Sequence, residues 1–162
     1  MTFVFDEKTK LEFIRENDGH IYIELPIVCE GSKDTDTIPF VYDTGAFVTV
    51  VNKDRYEYFG LHKLPRYETS LGGYTGGTKG YLFQIPGLRI GVRLLLDVWA
   101  FSPTNPELRQ NLLGSNVIEY FRPFQDNMND VIYFPDNLSP KPYYSEKHNI
   151  SLACKKVLVI DD

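Results

Sequence analysis

The sequence predicts a mostly β protein with one or two short helices, and three observations carry that expectation. Tyrosine and phenylalanine are abundant, at eleven residues each, and both suit the pleated, half-buried surface of a strand. Ten prolines and twelve glycines are spread along the chain, so its apolar runs are short and separated by turns. The run Ile21–Val28, "IYIELPIV", alternates Ile21, Ile23 and Leu25 against Tyr22 and Glu24, the period of a strand with one face buried. The chain of 162 residues fits one domain of ordinary size. That domain is read as 1–162, with a core at about 21–134 and terminal segments at about 1–20 and 135–162.

The elements follow in order. Residues 2–5 form a short candidate strand, and Ile21–Val28 is the next. Residues 29–37 are polar and contain Gly31, so they are expected to loop. The stretch 38–51, "IPFVYDTGAFVTVV", is strand, turn, strand. Asn52 is placed to N-cap a short helix over 53–59, which Gly60 ends. Residues 67–71 and 78–85 look like the arms of a hairpin, joined through "GGYTGG". Residues 88–101 are extended and apolar around Gly91. Residues 102–110, with Pro103 and Pro106, are a loop or a single helical turn. Leu112 and Leu113 make a short strand, and Ser115 is placed to cap a helix ending at Phe121. A strand over 131–134 is closed by a turn at Pro135, Asp136 and Asn137. Residues 140–149 are polar loop, and 156–160 are the last strand.

Composition removes several classes of function. The net charge of -5 argues against a nucleic-acid partner, which asks for a basic face. No apolar run approaches the ~20 residues that a membrane span needs. The first ten residues lack a basic start followed by an apolar core, so the cytoplasm is the expected location. The Asn-x-Ser patterns at Asn137 and Asn149 are then chance matches. Cys29 and Cys154 are expected as free thiols, because a disulfide scaffold would be denser in cysteine. His20, His62 and His148 are isolated, and "DTDT" at 34–37 lacks the ligands and spacing of a calcium loop, so neither metal nor cofactor is expected. "GGTKG" at 76–80 misses a phosphate-binding loop because Thr78 separates the Gly and Lys that should adjoin. Ser115 lies in "GSN", outside the Gly-x-Ser-x-Gly pattern of a nucleophile elbow.

Asp43 stands out. It lies between two apolar runs, and the nearest cations in sequence, Lys33 and Lys53, are each ten residues away. An Asx-turn explains an Asp-x-Gly in general. A carboxylate enclosed by apolar strands is nevertheless disfavoured as a charge, and must be paired or neutralised. One solution is a second carboxyl sharing a proton with the first, so that one acts as acid and the other as base. The chain carries a single Asp-Thr-Gly, so a partner chain would supply the second.

"YDTGAFVTVV" at 42–51 resembles the active-site loop of retropepsin-like aspartic proteases, the retroviral type. "LGGYTGGTKGY" at 71–81 resembles that family's glycine-rich flap. "NLLGSNVIEYF" at 111–121 resembles its second signature, two apolar residues and a glycine leading into a short helix. The three occur in the family's order, and the resemblance covers about 21–134. It implies a single-domain retropepsin-like acid protease barrel with a flap hairpin, acting as a homodimer on protein or peptide substrates.

The resemblance also assigns roles. Asp43, Thr44 and Gly45 are the catalytic tripeptide. Asp43 shares a proton and a water with its counterpart, Thr44 braces the two loops against each other, and Gly45 lets substrate backbone come close. Ala46, Gly72, Gly73, Tyr74, Thr75, Gly76 and Gly77 are the substrate-binding positions. The flap glycines supply mobility, and an extended substrate adds as a strand. Two departures stand out. Retroviral members often follow this motif with an Asp and the later Gly with an Arg, which pair. Here Phe47 and Ser115 stand at those places, so both partners are missing together. Tyr42 replaces a commoner aliphatic residue. The alternative reading is a catalytically weak or inactive module of the same fold, serving dimerisation or peptide binding.

Overall fold

The computed structural model describes residues 10–33, 36–73, 76–121, 123–134, 144–145, 150–151 and 156–159. Fourteen strands are found among them. In chain order these are β1 (Lys10–Glu12), β2 (Ile14–Arg15), β3 (Ile21–Val28), β4 (Thr37–Tyr42), β5 (Thr49–Val50), β6 (Arg66–Gly73), β7 (Gly76–Ile90), β8 (Arg93–Pro103), β9 (Asn111–Leu113), β10 (Phe124–Asp126), β11 (Val131–Tyr133), β12 (Tyr144–Ser145), β13 (Ile150–Ser151) and β14 (Lys156–Val159). Helix α1 spans Lys53–Tyr58, a 3-10 turn spans Leu61–Lys63, and helix α2 spans Ser115–Phe121. The expected strand at 2–5 and the turn at 135–137 lie outside the described residues.

The main sheet brings together segments distant in sequence. β3 pairs antiparallel with β4, and β4 pairs parallel with β9. β9 meets β5, which runs parallel to β8. β8 pairs with β7, and β7 returns to β3. The pairings β8–β5–β9–β4–β3–β7–β8 therefore form a closed circuit. β14 adds to β8 within the same chain, with Lys156 opposite Leu96. β1, β11 and β10 form a separate three-stranded sheet.

The alternation in β3 works as the sequence pattern implies. Ile23, Leu25 and Ile27 are buried, while Glu24 and Val28 are exposed. They join Ile38 and Phe40 of β4, Phe83 and Ile85 of β7, Val98 and Ala100 of β8, and Leu113 of β9 in one core. Removing that apolar surface from water is the main force holding the sheet closed. Asn52 caps α1 as expected: its side chain accepts from the Arg55 N–H. Gly60, at φ 68, takes the left-handed conformation that ends the helix.

Several boundaries differ from the sequence reading, and 140–149, read as loop, holds the two-residue strand β12, which forms by pairing with β13. The extended run 88–101 is two strands, because Gly91 at φ 61 turns the chain between Ile90 and its partner Arg93. Apolar residues on both sides hid that hairpin. Ser102 and Pro103 continue β8 instead of opening a loop. The short strands β1, β2 and β10 exist through their pairings to β11 and β3, and a two- or three-residue strand has no period of its own to read. Among the described residues no helix is long and apolar enough to cross a membrane.

Candidate active site

β4 delivers Asp43 to its place. The last β4–β9 pair sets Tyr42 opposite Leu113, and the Asp43 N–H then donates to the Leu113 carbonyl at 3.1 Å. Past that bond the chain turns. The Gly45 N–H donates to Asp43 Oδ1 at 2.9 Å, and the Ala46 N–H donates to the Asp43 carbonyl at 3.2 Å. The side chain thus builds its own turn, as the Asx-turn reading has it. A Cβ on Gly45 would sit 3.2 Å from Asp43 Oδ1, so glycine keeps the space beside the carboxylate open.

Asp43 is only half-buried, and Thr44 and Gly45 are exposed. Val41 and Val48 on either side are buried, but the tip between them is uncovered, so the carboxylate is less enclosed than its flanks in sequence suggest. Among the described residues no cation pairs with it. Phe47 is 46% exposed, beside the tip. Tyr42 packs against the core. Its hydroxyl pKa is pushed up to about 12, first by burial and then by Glu119 on α2.

The loop is tied to β9 and α2. The Ser115 hydroxyl donates to the Thr44 carbonyl at 2.8 Å, and the Ser115 N–H donates to the Ala46 carbonyl, also at 2.8 Å. The expected capping role of Ser115 is therefore corrected. The Gly114 carbonyl opens α2 by accepting from the Val117 and Ile118 N–H groups, while the Ser115 hydroxyl faces the loop. Gly114 has no alternative as a residue type. A Cβ there would lie 2.4 Å from the Val48 carbonyl carbon and 2.7 Å from the Thr49 nitrogen.

Thr49 and Asn116 form a buried polar link that the sequence reading did not single out, and both are 0% exposed. The Thr49 N–H and hydroxyl both donate to Asn116 Oδ1 at 2.9 Å. The same hydroxyl accepts from the Gly114 N–H at 3.2 Å, and the Asn116 amide donates to the Trp99 carbonyl at 2.8 Å. A satisfied network of this kind fixes one arrangement of the core. The signal was a polar residue next to apolar ones, Thr49 in "FVTVV" and Asn116, beside Ser115, in "LLGSNVIEYF". Asn111 behaves alike, accepting from the Asn52 N–H at 2.8 Å.

β6 and β7 form a hairpin whose pairing runs from Arg66 opposite Phe83 to Gly73 opposite Gly76. Gly72 and Gly77 face each other, and a Cβ on Gly77 would meet Ser70 Cβ at 2.8 Å. Tyr74 and Thr75 lie outside the described residues. A cavity of ≈ 430 Å³ lies under this hairpin, lined by Leu71, Thr78, Val50, Phe101, Leu108 and Leu112 among others. Leu112 adjoins Leu113, whose carbonyl holds Asp43, so the strand that positions the acid also floors the cavity.

An Asp-Thr-Gly loop at a strand end, tied to an apolar-apolar-Gly strand that also lines a cavity under a glycine-rich hairpin, fits an acid-protease fold, although none of residues 43–47 lines that cavity. A family model described as aspartyl protease matches residues 29–117; that is more than half of the chain, which belongs to this retropepsin-like family of aspartyl proteases. The structure is similar to that of a retropepsin-like aspartic protease from Rickettsia conorii. The TM-score is 0.58 at 23% identity, over 76% of this chain and 87% of the other. No curated protein matches the chain.

Proposed function

We propose that the protein is a homodimeric aspartic endopeptidase, with Asp43 of each subunit forming the catalytic pair. The observation that carries this reading is the half-buried Asp43, without a cation among the described residues, on a loop whose Thr44 and Gly45 are exposed. An exposed loop tip can meet its own copy about a twofold axis. Two adjoining carboxyls share one proton, since both cannot ionise easily. The ionised Asp43 takes a proton from water as that water attacks the peptide carbonyl. The protonated Asp43 donates a hydrogen bond to the carbonyl oxygen, and a proton then passes to the leaving amine. Thr44 braces the two loops. The β6–β7 hairpin, with Gly72, Gly73, Tyr74, Thr75, Gly76 and Gly77, acts as the flap that closes on an extended peptide. The apolar cavity takes a substrate side chain, with Ala46 beside the cleaved bond.

The test pairs cleavage with association. The protein and its Asp43→Asn variant are incubated with a peptide library at mildly acid and neutral pH, and their masses in solution are measured by sedimentation. Asp43-dependent cuts from a dimer are the expected result. Equal cutting by the variant, or activity from a strict monomer, would refute the mechanism. A dimer that binds peptides without cutting would leave the binding-module reading in its place.

A further inference from the structure

A second cavity, of ≈ 130 Å³, lies where α1 meets the base of the β6–β7 hairpin. Pro103 borders both it and the larger cavity. Its wall carries Lys53 and Tyr56 from α1, His62 from the 3-10 turn, Arg66 from β6, Tyr81 from β7 and Ser102 from β8. None of these belongs to the Asp43 loop, and the proposed peptide hydrolysis uses none of them.

Two of these side chains hold buried polar atoms without a hydrogen-bond partner, His62 Nδ1 and Ser102 Oγ. Ser102 is 1% exposed. Buried hydroxyl and imidazole nitrogen atoms are ordinarily satisfied, so two orphans on one wall ask for a common partner. The charges beside them are unequal. The Arg66 guanidinium lies 3.9 Å over the Tyr81 ring, with Nη1 3.4 Å from the Tyr56 hydroxyl. A stacked guanidinium keeps its remaining N–H groups at its planar edge, the geometry that suits an oxyanion. Lys53 sits 3.7 Å from Glu57 in an exposed pair, and such pairs are weak. The wall therefore sets two cations against the single carboxylate of Glu57.

We propose that this cavity binds a small oxyanion, a carboxylate or phosphate group. Ser102 and His62 supply the neutral donors, and Arg66 and Lys53 the charge. At ≈ 130 Å³ the cavity has room for a guest the size of an acetate or a phosphate. Arg66 and Tyr81 stand at the root of the hairpin that carries Gly72–Gly77, so a bound anion ties α1 to that root.

The test uses the full chain and needs no cleavage, so it stands apart from the proposed activity. Sodium phosphate and, separately, sodium acetate are titrated at fixed pH, with ionic strength held by sodium chloride. The NMR signals of the His62 ring and the Ser102 amide are followed. Saturating shifts with either salt are expected, with affinity at least tenfold weaker in Ser102→Ala and in Arg66→Gln, each checked as folded by its remaining spectrum. Which salt saturates assigns the group as carboxylate or phosphate. Shifts that never saturate, or affinities equal in wild type and both variants, would overturn the proposal and leave a water-filled gap.

Discussion

Replacing Ser115 by alanine tests whether this residue locks the Asp43 loop to the start of α2. Alanine deletes the 2.8 Å bond from the hydroxyl to the Thr44 carbonyl. It keeps the backbone bond from residue 115 to Ala46. One such hydrogen bond contributes about 1 kcal/mol net. Ser115 is 7% exposed, so little water can replace the lost hydroxyl. The Thr44 carbonyl belongs to an exposed residue and can turn to solvent, which limits the loss. Alanine also favours the helix by roughly 0.5 kcal/mol over serine. The net cost is then about 0.5–1 kcal/mol, and a chain of this size loses roughly 2–4 °C in Tm per kcal/mol. The decisive readout is local. Amide exchange at Gly45 and Ala46 should quicken by about fivefold, the equivalent of about 1 kcal/mol in loop opening. Cleavage, if Asp43-dependent, should fall through kcat more than through KM. A lowered Tm with unchanged exchange at Gly45 and Ala46 would refute the reasoning and assign Ser115 to the helix alone.

Two further outcomes are expected. Gly114→Ala should cost about 3 kcal/mol or more, because its Cβ would lie 2.4 Å from backbone that cannot turn aside; a loss under about 1 kcal/mol in denaturant unfolding would contradict the packing of the loop against α2. Tyr42 should make stability fall at high pH. Its hydroxyl ionises near 10 when unfolded and near 12 when folded, so its effect is absent below the first value and grows as pH rises through the window between them. Tyr42→Phe should match wild type at pH 8 and exceed it at pH 11, as read from urea midpoints; equal midpoints at pH 11 would place the hydroxyl in water.

What could be read in the sequence was what local chemistry decides. Alternation in β3, the Asn52 cap and Gly60 each act within a few residues, and each is found where the pattern put it. What could not be read depends on partners distant in the chain. β1 needs β11, and the turn at Gly91 is a glycine inside an apolar run on both sides. Ser115 stood at a position that suits a cap, and only the approach of Thr44 across 71 residues of sequence shows where its hydroxyl goes. The half-burial of Asp43 belongs to the same class: Val41 and Val48 on either side are buried, but Thr44 and Phe47 are exposed.

The paired departures at Phe47 and Ser115 can now be argued as one change. An Asp–Arg pair would hold a loop by charge, and would weaken with salt and with protonation of the acid. Here the loop is held by neutral bonds: Ser115 to Thr44 and Ala46, and Thr49 to Asn116 and Gly114. The bonds among Thr49, Asn116 and Gly114 lie at residues buried from solvent, where screening does not reach them, whereas the Ser115 bonds run to the exposed Thr44 and the half-buried Ala46. The Ser115 and Thr49 bonds involve no ionisable group, so protonation of an acid does not break them. The paired change also leaves Asp43 without a competing carboxylate next to it in sequence. Phe47 is 46% exposed beside the loop tip, and in the proposed dimer that is the side a second copy approaches.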